Sequence, residues 1–199
     1  MVAEPTTIGM TEDAFVAACD EDTRAEFVDG EVIIMSPESV VSETVRGFLY
    51  KVLSWFVETH ELGMVFGPNL QIRPRAGLRR IPDLMFISNE RRHFLHAAHF
   101  EGAPDLTMEI VSDDSVERDW RTKYHEYEQG GVREYWVIDP PHQRVAVYRL
   151  NESGHYEDVP IQDGAFHSTV VNGFWIRPEW LWQEPLPHTV EILRILGVL

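Results

Sequence analysis

Residues 105–140 read DLTMEIVSDDSVERDWRTKYHEYEQGGVREYWVIDP, and the changing hydrophobic period along them decides the fold. Residues 106–111 form a short apolar run between Pro104 and the Ser112-Asp113-Asp114-Ser115 cluster, the pattern of a strand. From about 116 to 129 the period becomes helical, and Gly130-Gly131 supplies a C-terminal stop. Residues 133–138 and 144–150 return to strand, separated by Asp139-Pro140-Pro141-His142. Strand, helix and strand at this spacing describe a sheet with a helix packed on it.

The flanking sequence extends the same scheme. Strands are expected over 64–73 and 81–87, joined by Pro74-Arg75-Ala76-Gly77. After Ser36-Pro37 comes the longest helix, about 40–60. Its apolar stripe is Val41, Val45, Phe48, Leu49, Val52, Leu53 and Phe56, at three- and four-residue spacing. Asp29-Gly30 between 24–29 and 31–35 signals a hairpin, and Thr11 is an N-cap for a short helix ending near Cys19. A strand over 155–159 and an amphipathic helix near 190–196 follow. The order predicts an α/β (α+β) fold, a central mixed sheet flanked by helices, in one domain spanning 1–199.

Composition narrows the function. The chain has 199 residues, 44% hydrophobic and 25% charged, which excludes a disordered or collagen-like protein. A single cysteine, Cys19, excludes an internal disulfide and any multi-cysteine zinc site. In its acidic setting it is a poor nucleophile. The longest apolar stretch, 48–57, is broken by Lys51 and too short for a bilayer. MVAEPTTIGM lacks the basic and apolar regions of a secretory signal, so a cytoplasmic location is expected. Net charge is −16, which disfavours coating of nucleic acid or anionic membranes unless cations or a basic patch reverse the sign. Arg73, Arg75, Arg79, Arg80, Arg91 and Arg92 form the one basic cluster. It is either a solubilising loop or the place where a phosphate is met.

Asp83 heads an apolar strand, and Glu109 lies inside 106–111, on one face with Thr107 and Val111 by the strand period. Two carboxylates on neighbouring strands repel unless they share a proton or bind a cation, and hard ions such as Mg²⁺ suit such oxygen sites. Lys123 is one of only two lysines; Asp119, Lys123 and Tyr127 are four apart and share a helix face. Asp119–Lys123 reads either as a surface ion pair worth about 0–1 kcal/mol or as a cation returned across the sheet to the carboxylates. In the second case the lysine orients or deprotonates an attacking water and offsets phosphate charge. His93, His96 and His99 have zinc-like spacing, but without a nearby cysteine and with Phe94 and Ala97 between them they read as an ordinary surface segment. The aromatics Tyr135, Trp136, Tyr148, Trp175, Trp180 and Trp182 read as core.

The ordered series Ala25-Glu26-Phe27-Val28-Asp29-Gly30-Glu31, Met35-Ser36-Pro37, Ile81-Pro82-Asp83-Leu84, residues 105–112, Asp119, Lys123, Tyr127 and residues 131–140 resembles the Uma-type restriction endonuclease family, within the PD-(D/E)XK nuclease superfamily. The resemblance covers about 11–150 and leaves 151–199 as an extension. It implies a restriction-endonuclease-like fold and Mg²⁺-dependent (or Mn²⁺-dependent) hydrolysis of DNA phosphodiester bonds. Asp83 and Glu109 are the implied metal ligands, joined by the Ile110 carbonyl, and Lys123 is the implied catalytic lysine, held by Asp119 and Tyr127. The superfamily's lysine position, two after the glutamate, is Val111 here, and Lys123 on the following helix matches the family's displaced lysine. Ser42 stands where relatives often carry histidine. Glu43 falls on the polar side of its helix and is not taken as a ligand, while Glu26 stays open. On the endonuclease reading, arginines of the 73–80 loop meet the phosphates, and two active sites pair in a homodimer whose interface the Trp-rich C-terminal segment and apolar tail form unless they cover the sheet. Two alternatives stand beside this reading: a nuclease-fold interaction protein that cuts nothing, and a metal-dependent phosphoesterase acting on small nucleotides.

Overall fold

The computed structural model describes residues 7–19, 23–112 and 115–199. Residues 1–6 of the expected non-signal start and the Asp113-Asp114 pair lie outside the described residues.

The fold is mixed α+β, as the element order predicts, but its strands divide between two six-stranded sheets instead of one. The first runs, in spatial order, Thr7–Ile8 (β1), Glu31–Ile34 (β3), Ala25–Val28 (β2), Leu78–Arg80 (β6), Gln71–Arg75 (β5) and His99–Glu101 (β8). The second runs Tyr156–Asp158 (β12), Arg144–Leu150 (β11), Glu134–Asp139 (β10), Leu106–Ile110 (β9), Leu84–Ser88 (β7) and Gly63–Phe66 (β4). Its β9–β10 pair is parallel, as the helical crossover between them requires, and its other pairs are antiparallel. Phe166–His167 (β13) and Trp175–Ile176 (β14) pair separately. The helices are Glu12–Ala18 (α1), Val40–Thr59 (α2), Lys123–Gly130 (α3) and Thr189–Ile195 (α4).

The expected strand 64–73 is two strands in different sheets. Gly67-Pro68-Asn69 breaks it, because proline cannot donate to a ladder. The expected strand 81–87 begins only at Leu84, and Ile81-Pro82-Asp83 carries the chain from the first sheet into the second. The hairpin turn at Asp29-Gly30 is as read, with both residues at positive φ, 48° and 99°. Thr11 caps α1, its hydroxyl accepting from the Ala14 N–H at 3.2 Å.

The second sheet is buried on both faces. Leu106, Met108, Ile110, Trp136 and Ile138 pack against Leu49, Leu53 and Phe56 of α2. The same cluster takes in Phe174, Trp180, Leu181, Ile192 and Leu193, so the C-terminal segment covers the sheet. Val41, expected in the α2 stripe, is exposed in the helix's first turn. On the other face Val111, Tyr127, Tyr135 and Val137 pack with Met85, Ile87, Phe100 and Ile72. Among the described residues no helix is long and apolar enough to cross a membrane.

Candidate active site

The two-sided burial of β9 gives Glu109 its setting. Leu106, Met108 and Ile110 point into the α2 core, so the strand period turns Glu109 to the opposite face, beside Tyr127. The carboxylate is 1% exposed. Asp83, on the link between the sheets, reaches the same strand: its Oδ2 accepts from the Ile110 N–H at 2.7 Å. The crossover then returns Lys123. A π-helical turn, Arg118–Thr122, precedes α3, and the Lys123 ammonium lies 2.7 Å from Glu109 Oε2 and 3.2 Å from Asp119 Oδ1. Tyr127 donates its hydroxyl to Glu109 Oε1 at 2.6 Å. Tyr135 donates to the Asp119 backbone carbonyl at 2.7 Å, fixing the π turn to β10.

Asp119–Lys123 is therefore not a surface ion pair; both side chains are within 3% of full burial. Tyr127, expected to hold the lysine, holds Glu109 instead.

Asp83, Glu109, Asp119 and Lys123 line a cavity of about 300 Å³, closed on its other side by residues 34–39 and by Ser112, Ser115 and Arg118. Its charge is unbalanced: Asp83, Glu109, Asp119 and Glu38 face Lys123 and Arg118. Burial, then the Glu109 and Glu38 charges, hold the Asp83 carboxyl well above the usual carboxylate range. Burial also pushes Glu109 up to about 7 despite Lys123. Burial opposes the Lys123 charge, but Glu109, Asp119 and Glu26 outweigh it and keep the ammonium protonated well beyond its ordinary range. Asp119 Oδ1 and Glu38 Oε2 are buried and make no hydrogen bond, each with only ion-pair neighbours, the nearest being Lys123 at 3.2 Å and Arg46 at 3.5 Å respectively. Excess carboxylate oxygen of this kind fits a hard divalent cation.

Glu26 has a definite place. It is fully buried, accepts from Arg80 Nη1 at 2.6 Å and from the Ile81 N–H at 3.1 Å, and Arg80 in turn grips Glu126 through two 2.8 Å bonds. The network fixes the strand end that leads to Asp83 and adds negative potential behind Lys123. Ser42 is buried, but its hydroxyl meets Ser39 at 2.9 Å at the α2 N-cap and does not line the cavity. Glu43 is exposed and pairs with Arg46.

The loop arginines are not free for phosphate. Arg73 and Arg79 bind Glu12, Arg75 binds Asp29, and Arg80 is enclosed by Glu26 and Glu126. The guanidinium that does face the cavity is Arg118, which also lines an adjacent cavity with Arg121 and Arg144. Sequence reasoning missed it because it sits in the one turn whose period is neither α nor β; its place just ahead of Asp119 was the available signal.

A solved structure from Anabaena variabilis ATCC 29413, described as "a putative nuclease belonging to DUF820", superposes with a TM-score of 0.73 at 20% identity, covering 87% of this chain and 97% of that one. At that identity the likeness shows a shared fold. A comparison with curated proteins returns no match. A family model spans residues 12–179, from α1 through every cavity-lining residue to the C-terminal cover: the chain belongs to the Uma2 family, described as "Putative restriction endonuclease".

Proposed function

We propose that this protein is a Mg²⁺-dependent endonuclease hydrolysing DNA phosphodiester bonds, with Asp83, Glu109 and Lys123 as its catalytic residues. The observation that carries the reading is the convergence of the three side chains on one cavity with excess carboxylate charge. Asp83 and Glu109 would hold the cation, Mg²⁺ or Mn²⁺, with the Ile110 carbonyl as a further oxygen. Held there, such a cation supplies Lewis-acid neutralisation of phosphoryl oxygens. Lys123, kept charged by its neighbours, orients the attacking water and offsets charge developing on the phosphate; it does not serve as the base. Asp119 positions the lysine and Tyr127 positions Glu109. Arg118 supplies the positive edge for the entering strand.

The engagement of Arg73, Arg75, Arg79 and Arg80 by carboxylates favours one second reading, a phosphoesterase on small nucleotides that needs no extended basic surface. Plasmid nicking with Mg²⁺ or Mn²⁺, run beside hydrolysis of a thymidine nitrophenyl phosphate, separates the two. Nicking lost in Lys123→Ala supports the endonuclease. Hydrolysis of the small ester alone supports the second reading, and activity unchanged in Lys123→Ala removes the lysine from either.

A further inference from the structure

The histidine segment after β7 folds differently from its sequence pattern. Asn89–Phe94 is a 3₁₀ turn that stops before His96, so the three histidines do not share a helix face. His93 lies against Phe94 with the two rings tilted by 39°. The His96 N–H donates to the His99 carbonyl at 2.9 Å, and Leu95 bridges Phe100, closing a tight turn over Ala97-Ala98. That turn sets the His96 and His99 rings nearly parallel, with centroids 4.9 Å apart. Glu101, two residues along β8, lies on the same strand face as His99 and places Oε2 3.1 Å from His99 Nε2. One ligand atom from each of His96, His99 and Glu101 falls within 4.8 Å of the others.

We propose that His96, His99 and Glu101 form a second cation site, separate from the carboxylate centre and selective for a borderline transition metal of the Zn²⁺ class. Two imidazoles and one carboxylate are the donor set zinc prefers, whereas Mg²⁺ demands oxygen and dehydrates reluctantly. Bonds of about 2.0–2.1 Å place tetrahedral ligand atoms about 3.3 Å apart, a closure that small rotations of these turn side chains supply. The carboxylate is already oriented: Arg73 Nη1 donates to Glu101 Oε1 at 2.7 Å and is itself anchored on Glu12, leaving Oε2 toward the histidines. A cavity of about 500 Å³ opens over the cluster, with room for a water to complete the coordination. The chain's net charge of −16 raises the local concentration of any cation.

Calorimetric titration of the full chain with Zn²⁺, in excess Mg²⁺, tests the site. Wild type, His93→Ala and Asp83→Asn are expected to bind the same tight equivalent of Zn²⁺, and His96→Ala/His99→Ala to lose it. Imidazole ¹⁵N spectra of the wild type are expected to show His96 and His99 shifting with Zn²⁺ and standing still with Mg²⁺, a readout independent of how the double variant folds. Absence of Zn²⁺ binding by the wild type overturns the proposal. So does an unchanged equivalent in the double variant, or a loss confined to Asp83→Asn.

Discussion

Lys123 Nζ stands 2.7 Å from Glu109 Oε2, although the chain between them leaves the sheet and returns through a π-helical turn. Both side chains are 2% exposed, so neither charge has water to fall back on. Lys123→Met leaves Glu109 and Asp119 without their cation, and the expected loss is about 3–5 kcal/mol of folding stability along with nicking activity. Pairing it with Glu109→Gln removes the uncompensated charge. Urea denaturation is expected to show stability partly restored in the double variant while nicking stays absent, which separates the structural role from the chemical one.

On the proposed function, cation binding carries a pH signature of its own. Because Glu109 is raised to about 7 and Asp83 is also raised, the folded chain holds protons there that the unfolded chain has released. Their contribution therefore lowers stability as pH rises from about 4.5 to 7, since the folded state binds more protons in that window. A cation must displace those protons, so Mn²⁺ affinity by calorimetry is expected to rise with pH through about 7. Asp83→Asn and Glu109→Gln are each expected to abolish it.

Glu26 works in the opposite direction. Although burial opposes its charge, Arg80 and Lys123 lower the carboxyl to about 2, so its contribution is present above about 4.5 and lost as pH falls toward 2. Glu26→Gln leaves Arg80, 1% exposed, with one carboxylate partner fewer, at an expected cost of about 3–5 kcal/mol near neutral pH. Denaturation midpoints measured down the acid limb are expected to converge between variant and wild type.

Tyr127→Phe deletes the 2.6 Å hydrogen bond to Glu109 from behind the cavity and leaves the lining residues in place. Leaving that buried oxygen without its donor is expected to cost about 1–3 kcal/mol. The bond also favours the ionised carboxylate, so the pH at which Mn²⁺ binding develops is expected to move upward. Thermal unfolding and calorimetry across pH check the two effects separately.

Much of this architecture was legible because it is local. Alternating side chains place Glu109 opposite Met108 and Ile110, and Asp29-Gly30 has the one turn chemistry that closes a two-residue hairpin. The placement of Asp83 and Lys123 was also readable, from the apolar strand after one and the crossover around the other. What escaped was long-range. Pairing of Arg73 and Arg79 with Glu12 joins groups more than sixty residues apart, and no spacing rule reports it. The division into two sheets turns on Pro68 and Pro82, each of which was absorbed into a continuous strand or a strand head. His96 and His99 come together through a turn over two alanines, residues with no turn signature, so their three-residue spacing pointed to a helix face and not to this turn.

The π-helical turn Arg118–Thr122 has a consequence for insertions and deletions. Each residue of helix turns the side-chain direction by about 100°, from about 3.6 residues per turn, and a π turn accommodates one extra residue within a single turn. Deleting one residue from this turn would rotate Lys123 away from Glu109, while Tyr135 holds Asp119 in place from β10. Length changes that the loop over 151–154 absorbs at its exposed tip are therefore expected to be lethal to the cavity here, so these five residues act as a fixed-length gauge between sheet and helix.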